Sequence, residues 1–157
     1  MSRSGYSDDC DNNWGWIKWR GVVASAIRGK RGQDFLHEML HAMAALPVHR
    51  LVADDLEATD LVSCSHWGVF ETQAVCAIGA VGRSRGLDMS KLDPEDIDTV
   101  AAQFGISKAL AQEIVYMNDE ASYSETPEQR FTRMRKWIES ELFDPVPPQK
   151  ATARSEP

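Results

Sequence analysis

"FLHEMLHAM" (Phe35–Met43) admits two readings that lead to different proteins. His37, Glu38 and His41 stand in the order H-E-x-x-H, a zinc-peptidase signature, while the same residues are spaced as an amphipathic helix. At about 100° per residue, His37 and His41 fall within roughly 40° of each other on one helix face, near enough for two imidazoles to share an ion. The apolar residues decide between the readings. Phe35, Leu36, Met39, Leu40, Met43 and Leu46 gather on one side of the wheel, and Asp34, His37, Glu38, His41 and Ala45 on the other. A helix packed through the first set turns its histidines toward solvent. A peptidase also needs a third protein ligand, an open coordination position and a dry cleft in which Glu38 activates the bound water. His49 lies beyond Pro47, and Asp55 or Glu57 could serve only if the acidic loop folded back. The stretch is therefore read as a core helix. A zinc-dependent hydrolase using His37, His41 and the base Glu38 is kept as an alternative.

The residues around this helix extend the same pattern. A preceding helix is expected from Asn12 or Asn13 through "WGWIKWRGVVASAIR", with Asp8 to Asp11 at its positive end and Trp16, Trp19, Val23 and Ile27 as its apolar stripe. "GKRG" breaks it, and the second helix runs from about Gln33 to Leu46, stopped by Pro47, so that the two form a hairpin across a basic turn. Residues 48–73 show neither period clearly and read as loop, with a small hairpin using Leu51–Ala53 and Leu61–Cys64. "AVCAIGAVGRSRG" reads as a short central helix ended by Gly86, whose Gly79 and Gly82 permit close approach of a neighbour. Asp93 and Pro94 are expected to open a helix through Phe104, Gly105 to close it, and Ser107 to cap another ending near "MND". Thr126, Pro127 and Gln129 make a capping box ahead of a last helix with Phe131, Met134, Ile138 and Leu142 buried and Trp137 beside them. From Asp144 the proline-rich "DPVPPQKATARSEP" offers little to bury and is expected to be a disordered tail.

A chain of 157 residues with 43% hydrophobic and 26% charged residues suits one domain that folds without staples. No apolar run is long enough for a membrane span. The opening "MSRSGYSDDCDNN" lacks the apolar core of a signal peptide, and Cys10, Cys64 and Cys76 read as free thiols, so a cytoplasmic protein is expected. The net charge of -7 is unevenly spread. Residues 12–50 carry six basic residues (Lys18, Arg20, Arg28, Lys30, Arg31, Arg50) against Asp34 and Glu38, while 51–76 carry Asp54, Asp55, Glu57, Asp60 and Glu71 with no Lys or Arg. The two regions either pair with each other or offer different surfaces to partners.

Three further constellations bear on chemistry. "IRGKRG", with Arg28, Lys30 and Arg31 behind a Trp-containing helix, resembles a nucleic-acid-binding hairpin in outline but has no Walker pattern. The last helix adds Arg130, Arg133, Arg135 and Lys136 amid Glu128, Glu139 and Glu141. Cys64, His66 and Cys76 lack the fourth ligand and paired spacing of a structural zinc site. A Cys76 placed at a helix start would have its thiol pKa lowered and could pair with a histidine.

Beyond composition, "MSRSGYSDDCDNNWGWIKWRGVVASAIRGKRGQDFLHEML" and "VCAIGAVGRSRGLDMSKLDPED", followed by "ALAQEIVYMNDE" and "ETPEQRFTRMRKW", resemble a family of small uncharacterised proteins from bacteriophages and prophages of proteobacteria. The resemblance spans most of residues 1–142 and is weakest over 54–73. It implies a setting, a phage-derived product in a bacterial host cytoplasm, and carries over no functional residue.

The expected fold is mainly α: one helical domain over residues 1–143 with five or six helices and a small β-hairpin or irregular insertion around 48–73, followed by the tail 144–157. The expected function is macromolecular binding, with a host or phage protein as the favoured partner and no chemistry of its own. The binding residues expected are Trp16, Arg28, Lys30, Arg31 and Arg133. Nucleic-acid binding through the basic turn is one alternative and the zinc hydrolase the other. No cofactor and no membrane partner are expected, and the oligomeric state is left open.

Overall fold

Asn12 begins the first helix by accepting the Gly15 N–H on its side-chain oxygen at 2.8 Å. The computed structural model describes residues 3–5, 12–66 and 68–143. Helix α1 (Asn13–Arg28) ends at Gly29, and α2 (Lys30–Ala44) starts at the next residue rather than near Gln33. One glycine in extended conformation suffices to reverse the chain, so Lys30 and Arg31 belong to the first turn of α2 and not to a basic loop. Gly32 has a different duty. A Cβ there would overlap the Ala26 carbonyl, so its bare backbone lets α1 and α2 cross in contact. The expected acidic cap of α1, Asp8 to Asp11, lies outside the described residues.

Strands β1 (Glu57–Cys64) and β2 (Gly68–Val75) form an antiparallel hairpin in continuous register from Glu57↔Val75 to Cys64↔Gly68. The expected hairpin exists, but Leu51–Ala53 is not one of its strands. Buried Leu51 instead donates its N–H to the Pro127 carbonyl at 3.1 Å and accepts from Arg130 Nη1 at 2.9 Å, while Val52 N–H bonds the Val75 carbonyl. That segment seams the hairpin base to the end of the chain.

Helix α3 (Ala77–Ser84) is central, with Ala77 through Gly82 all buried. A Cβ on Gly79 would strike the Leu56 carbonyl, and one on Gly82 would strike Met89 and Phe104. The expected close approach occurs, against backbone at the first glycine. A 3-10 turn (Met89–Lys91) leads to α4 (Ile97–Phe104), which opens at Asp96 and not at Asp93–Pro94. Asp93 spends its side chain locally, accepting the Glu95 N–H at 2.9 Å in a turn, and Asp96 caps Thr99. Gly105 closes α4 with φ 70°, and Ser107 caps α5 (Lys108–Val115), which runs on into a π-helical turn, Tyr116–Glu120. The capping box of Thr126 and Gln129 starts α6 (Pro127–Glu141), whose Phe131, Met134 and Ile138, with Leu142 just beyond, are buried.

Among the described residues the result is six helices around one apolar core with a small two-stranded sheet. Among the described residues no helix is long and apolar enough to cross a membrane. The expected tail, 144–157, lies outside the described residues.

Two glycine substitutions should move stability in opposite directions. Gly79→Ala forces α3 off the Leu56 carbonyl, an overpacking cost of about 1–3 kcal/mol. Gly21→Ala, within α1 where an added Cβ meets nothing within 4 Å, should stabilise by roughly 0.5–1 kcal/mol. Urea unfolding of both variants measures the difference.

Candidate functional site

The H-E-x-x-H residues lie on the outer side of α2, with His37 half-buried and His41 exposed. Glu38 is committed elsewhere. Its two oxygens accept from Arg85 Nε and Nη2, each at 2.7 Å, in a forked pair that ties α2 to the end of α3. The Arg85 guanidinium also lies over the Phe35 and Phe104 rings and donates to the Phe104 carbonyl at 3.2 Å. This hydrogen-bonded guanidinium holds the Glu38 carboxyl below its ordinary pKa, the reverse of what a general base poised near neutrality needs. Among the described residues no three His, Cys, Asp or Glu side chains gather closely enough to hold a metal ion. Glu38, paired with Arg85 through both oxygens, is not placed as a free base beside His37 and His41.

Cys76 does open α3, as its Sγ accepts the Gly79 N–H at 3.3 Å. Burial is the dominant influence on it and pushes the thiol pKa up, contrary to the lowering expected at a helix start. Its charged neighbours are Arg3 and Asp119, not a histidine. His66 turns to Ser65 in the hairpin tip. Arg133, expected at a binding surface, is largely engaged internally: Glu125 takes it on both oxygens, and the Met117 and Asn118 carbonyls accept from Nη1 and Nη2. It braces the π turn against α6.

The remaining expected residues converge around α1. Of its sixteen residues only Val23 and Ile27 are buried. Trp16 is 43% exposed, and three apolar side chains off the expected stripe stand out further, Trp14 at 72%, Ile17 at 62% and Val22 at 53%. Val22 leads into an open groove of about 880 Å³ between α1, the start of α2 and the start of α5. Its floor includes Ala26, Ile106 and Leu110, and its cations are Lys18, Lys30 and Arg31, with no carboxylate among the lining residues. Lys30 reaches Asp34 at 2.6 Å on the surface, an exposed pair of little strength, and Arg31 Nη2 donates to the Gly105 carbonyl at 2.7 Å. Arg28 is exposed in the last turn of α1. Lys30 and Arg31 thus meet Lys18 at one site, Trp16 and Arg28 lie along the same helix, and Arg133 is elsewhere. The sequence signal for Trp14, Ile17 and Val22 was present: they are apolar residues on the polar side of the α1 wheel, where packing gives no reason for them.

Beneath α1, on the side away from the groove, Glu113 of α5 is buried and faces Arg20, whose Nη1 lies 3.3 Å from both of its oxygens. Desolvation, followed by the charge of Glu141, pushes the Glu113 carboxyl up to about 7 despite that guanidinium.

Comparison of the chain with protein-family models, with curated proteins and with solved structures finds no match. Function is therefore argued from the geometry of the surface itself.

Glu113 gives stability a pH dependence of known sign. Its folded pKa of about 7 exceeds the ordinary 4.5, so its contribution is fully present below about pH 4.5 and is lost as pH rises through 7. Glu113→Gln should match the parent near pH 4 and exceed it near pH 8 by about 3 kcal/mol, at roughly 1.4 kcal/mol per pKa unit. Urea titrations at the two pH values measure this, and an equal gain at both would assign the effect to packing.

Proposed function

We propose that the protein acts by binding a macromolecule, without chemistry of its own, through the outward face of α1 and the groove beside it. One observation carries this reading. Trp14, Ile17 and Val22 are large apolar side chains left exposed on α1, and Val22 lines an apolar groove whose charged lining residues are all cations. Exposed large apolar side chains on one helix mark interaction surfaces, and a tryptophan supplies the large contact area typical of binding hot spots. The occupant that complements this surface is a protein segment with an apolar face and acidic flanks. Its carboxylates would meet Lys18, Lys30 and Arg31 while its apolar side chains cover Val22, Ala26, Ile106 and Leu110. The setting we propose, on the family resemblance, is a phage- or prophage-derived accessory product in a bacterial host cytoplasm, with a host or phage protein as partner.

Nucleic acid is the second reading, favoured by the same three cations lining one groove, with exposed Trp14 one helical turn from Lys18. The apolar floor speaks for protein, because a phosphate backbone leaves Ile106 and Leu110 uncovered.

The test compares interaction partners captured from lysogenic or infected cells by the parent protein and by two face variants, Trp14→Ala and the charge reversal Lys30→Glu with Arg31→Glu. A true partner should be recovered by the parent, and its measured affinity should fall more than tenfold, about 1.4 kcal/mol, with Trp14→Ala. The charge reversal should chiefly slow association and flatten its salt dependence. Nucleic acid bound with a steep salt dependence, and lost on charge reversal alone, would install the second reading. A partner indifferent to both variants would sink both.

A further inference from the structure

The segment before α1 sends one side chain deep into the fold. The Arg3 side chain is 5% exposed, and that of Asp119, its carboxylate partner, 1%. Arg3 Nε donates to the Pro94 carbonyl at 2.9 Å, and Nη1 donates to the Asp55 carbonyl at 3.2 Å and to Asp119 Oδ2 at 3.0 Å. Nη2 points to Cys76 Sγ at 3.9 Å. Ser4, also buried, donates its N–H to Glu120 Oε1 at 3.2 Å. These acceptors come from four separated stretches: the turn before β1, the cap of α3, the turn before α4 and the π turn.

Two of those stretches carry unusual backbone. Asp54 has φ 64° without being a glycine, and Tyr116–Glu120 is wound as a π turn. Such conformations persist where the surroundings impose them, and they concentrate at binding sites. Here both serve a single point. The Asp54 backbone hydrogen-bonds the Asp119 carboxylate, and the next residue, Asp55, presents its carbonyl to the same guanidinium. A guanidinium is a planar fork of five donors, and acceptors here meet all three of its nitrogens. An ammonium, with one nitrogen, could not reach the Pro94 carbonyl, Asp119 and Cys76 together.

We infer that this is a guanidinium-binding pocket, that Arg3 is its resident occupant and makes residues 3–5 a latch, and that the pocket accepts another guanidinium when the latch is out. The site is distinct from the α1 groove, and its test does not depend on the binding reading above.

The test uses the full chain carrying Arg3→Ala. Its thermal midpoint should fall by several degrees, because Asp119 is left buried without its cation. Methylguanidinium at tens of millimolar should restore the midpoint saturably, whereas methylammonium at the same concentration should not. Adding Asp119→Asn should abolish the rescue, and the parent protein, already filled, should not respond. A short blocked peptide carrying one arginine should compete with methylguanidinium if the pocket takes a foreign side chain, and fail to compete if it admits only the small ion. Should Arg3→Ala not fold, Arg3→Gln, which keeps an amide donor at the position, is titrated in the same way. The inference is overturned if the midpoint does not fall, if the two cations act alike, or if the parent responds as the variant does.

Discussion

The fold is spaced from α3, a helix whose Gly79 and Gly82 carry no side chain to hold a neighbour apart. Gly79 rests on the Leu56 carbonyl and Gly82 under Met89 and Phe104, so the hairpin base and the chain around α4 approach to backbone distance. The volume that α3 does not fill is taken by the long side chains of α2, chiefly Phe35, Leu36, Met39 and Met43. Large residues facing small ones let a core reach close packing without strain. The apolar reading of FLHEMLHAM is thus the counterpart of the small-residue reading of AIGAVG, and neither helix makes sense without the other.

Burying α3 also buries its N-terminus, whose first N–H groups need partners there. The Cys76 thiol takes Gly79, and Asn118 Oδ1 takes Ala77 at 3.1 Å. Asn118 at the same time donates to the Val52 carbonyl at 2.8 Å, so one amide closes the gap between α3 and the seam at Val52. The π turn after α5 carries Asn118 and sets Asp119 beside it, facing Arg3. A demand made by one short helix therefore propagates through the π turn to the segment ahead of α1.

Features written in local chemistry were legible in the sequence, and features made by remote partners were not. Asn12, Ser107 and the Thr126–Gln129 box could be read because a capping side chain bonds its own helix within three residues. Asp93 misled because the same chemistry serves turns, and Pro94 after it favours either outcome. The start of α2 was displaced because Gly29 and Gly32 look alike in sequence, while one turns the chain and the other only clears the Ala26 carbonyl. Leu51–Ala53 has strand-like residues, yet its backbone bonds run to Pro127 and Val75, which no periodicity announces. At the candidate site the cations were legible as a cluster. The groove between them needed Ile106 and Leu110, about seventy-five residues onward, and Arg3 gave no sign at all, its contacts lying 52 to 116 residues away.

The uneven charge resolves by geometry. Arg50 binds Asp60 and Glu128, and Arg83 binds Glu57, so much of the acidic hairpin is neutralised at its base. Arg20 is drawn under α1 to Glu113, and Arg85 takes Glu38. What remains is not a mirror of the net charge of -7. Lys30 meets exposed Asp34, Arg31 meets the Gly105 carbonyl, and both line an apolar groove with Lys18. Low-dielectric walls strengthen the field of these cations locally, while the protein's overall negative charge repels acidic molecules farther away. At physiological ionic strength screening reaches about 8 Å, so the distant repulsion fades before the local attraction does. On the binding reading proposed above, selectivity at this surface would follow from that difference in range: an acidic segment would have to come close to be held, with its apolar side chains in the groove.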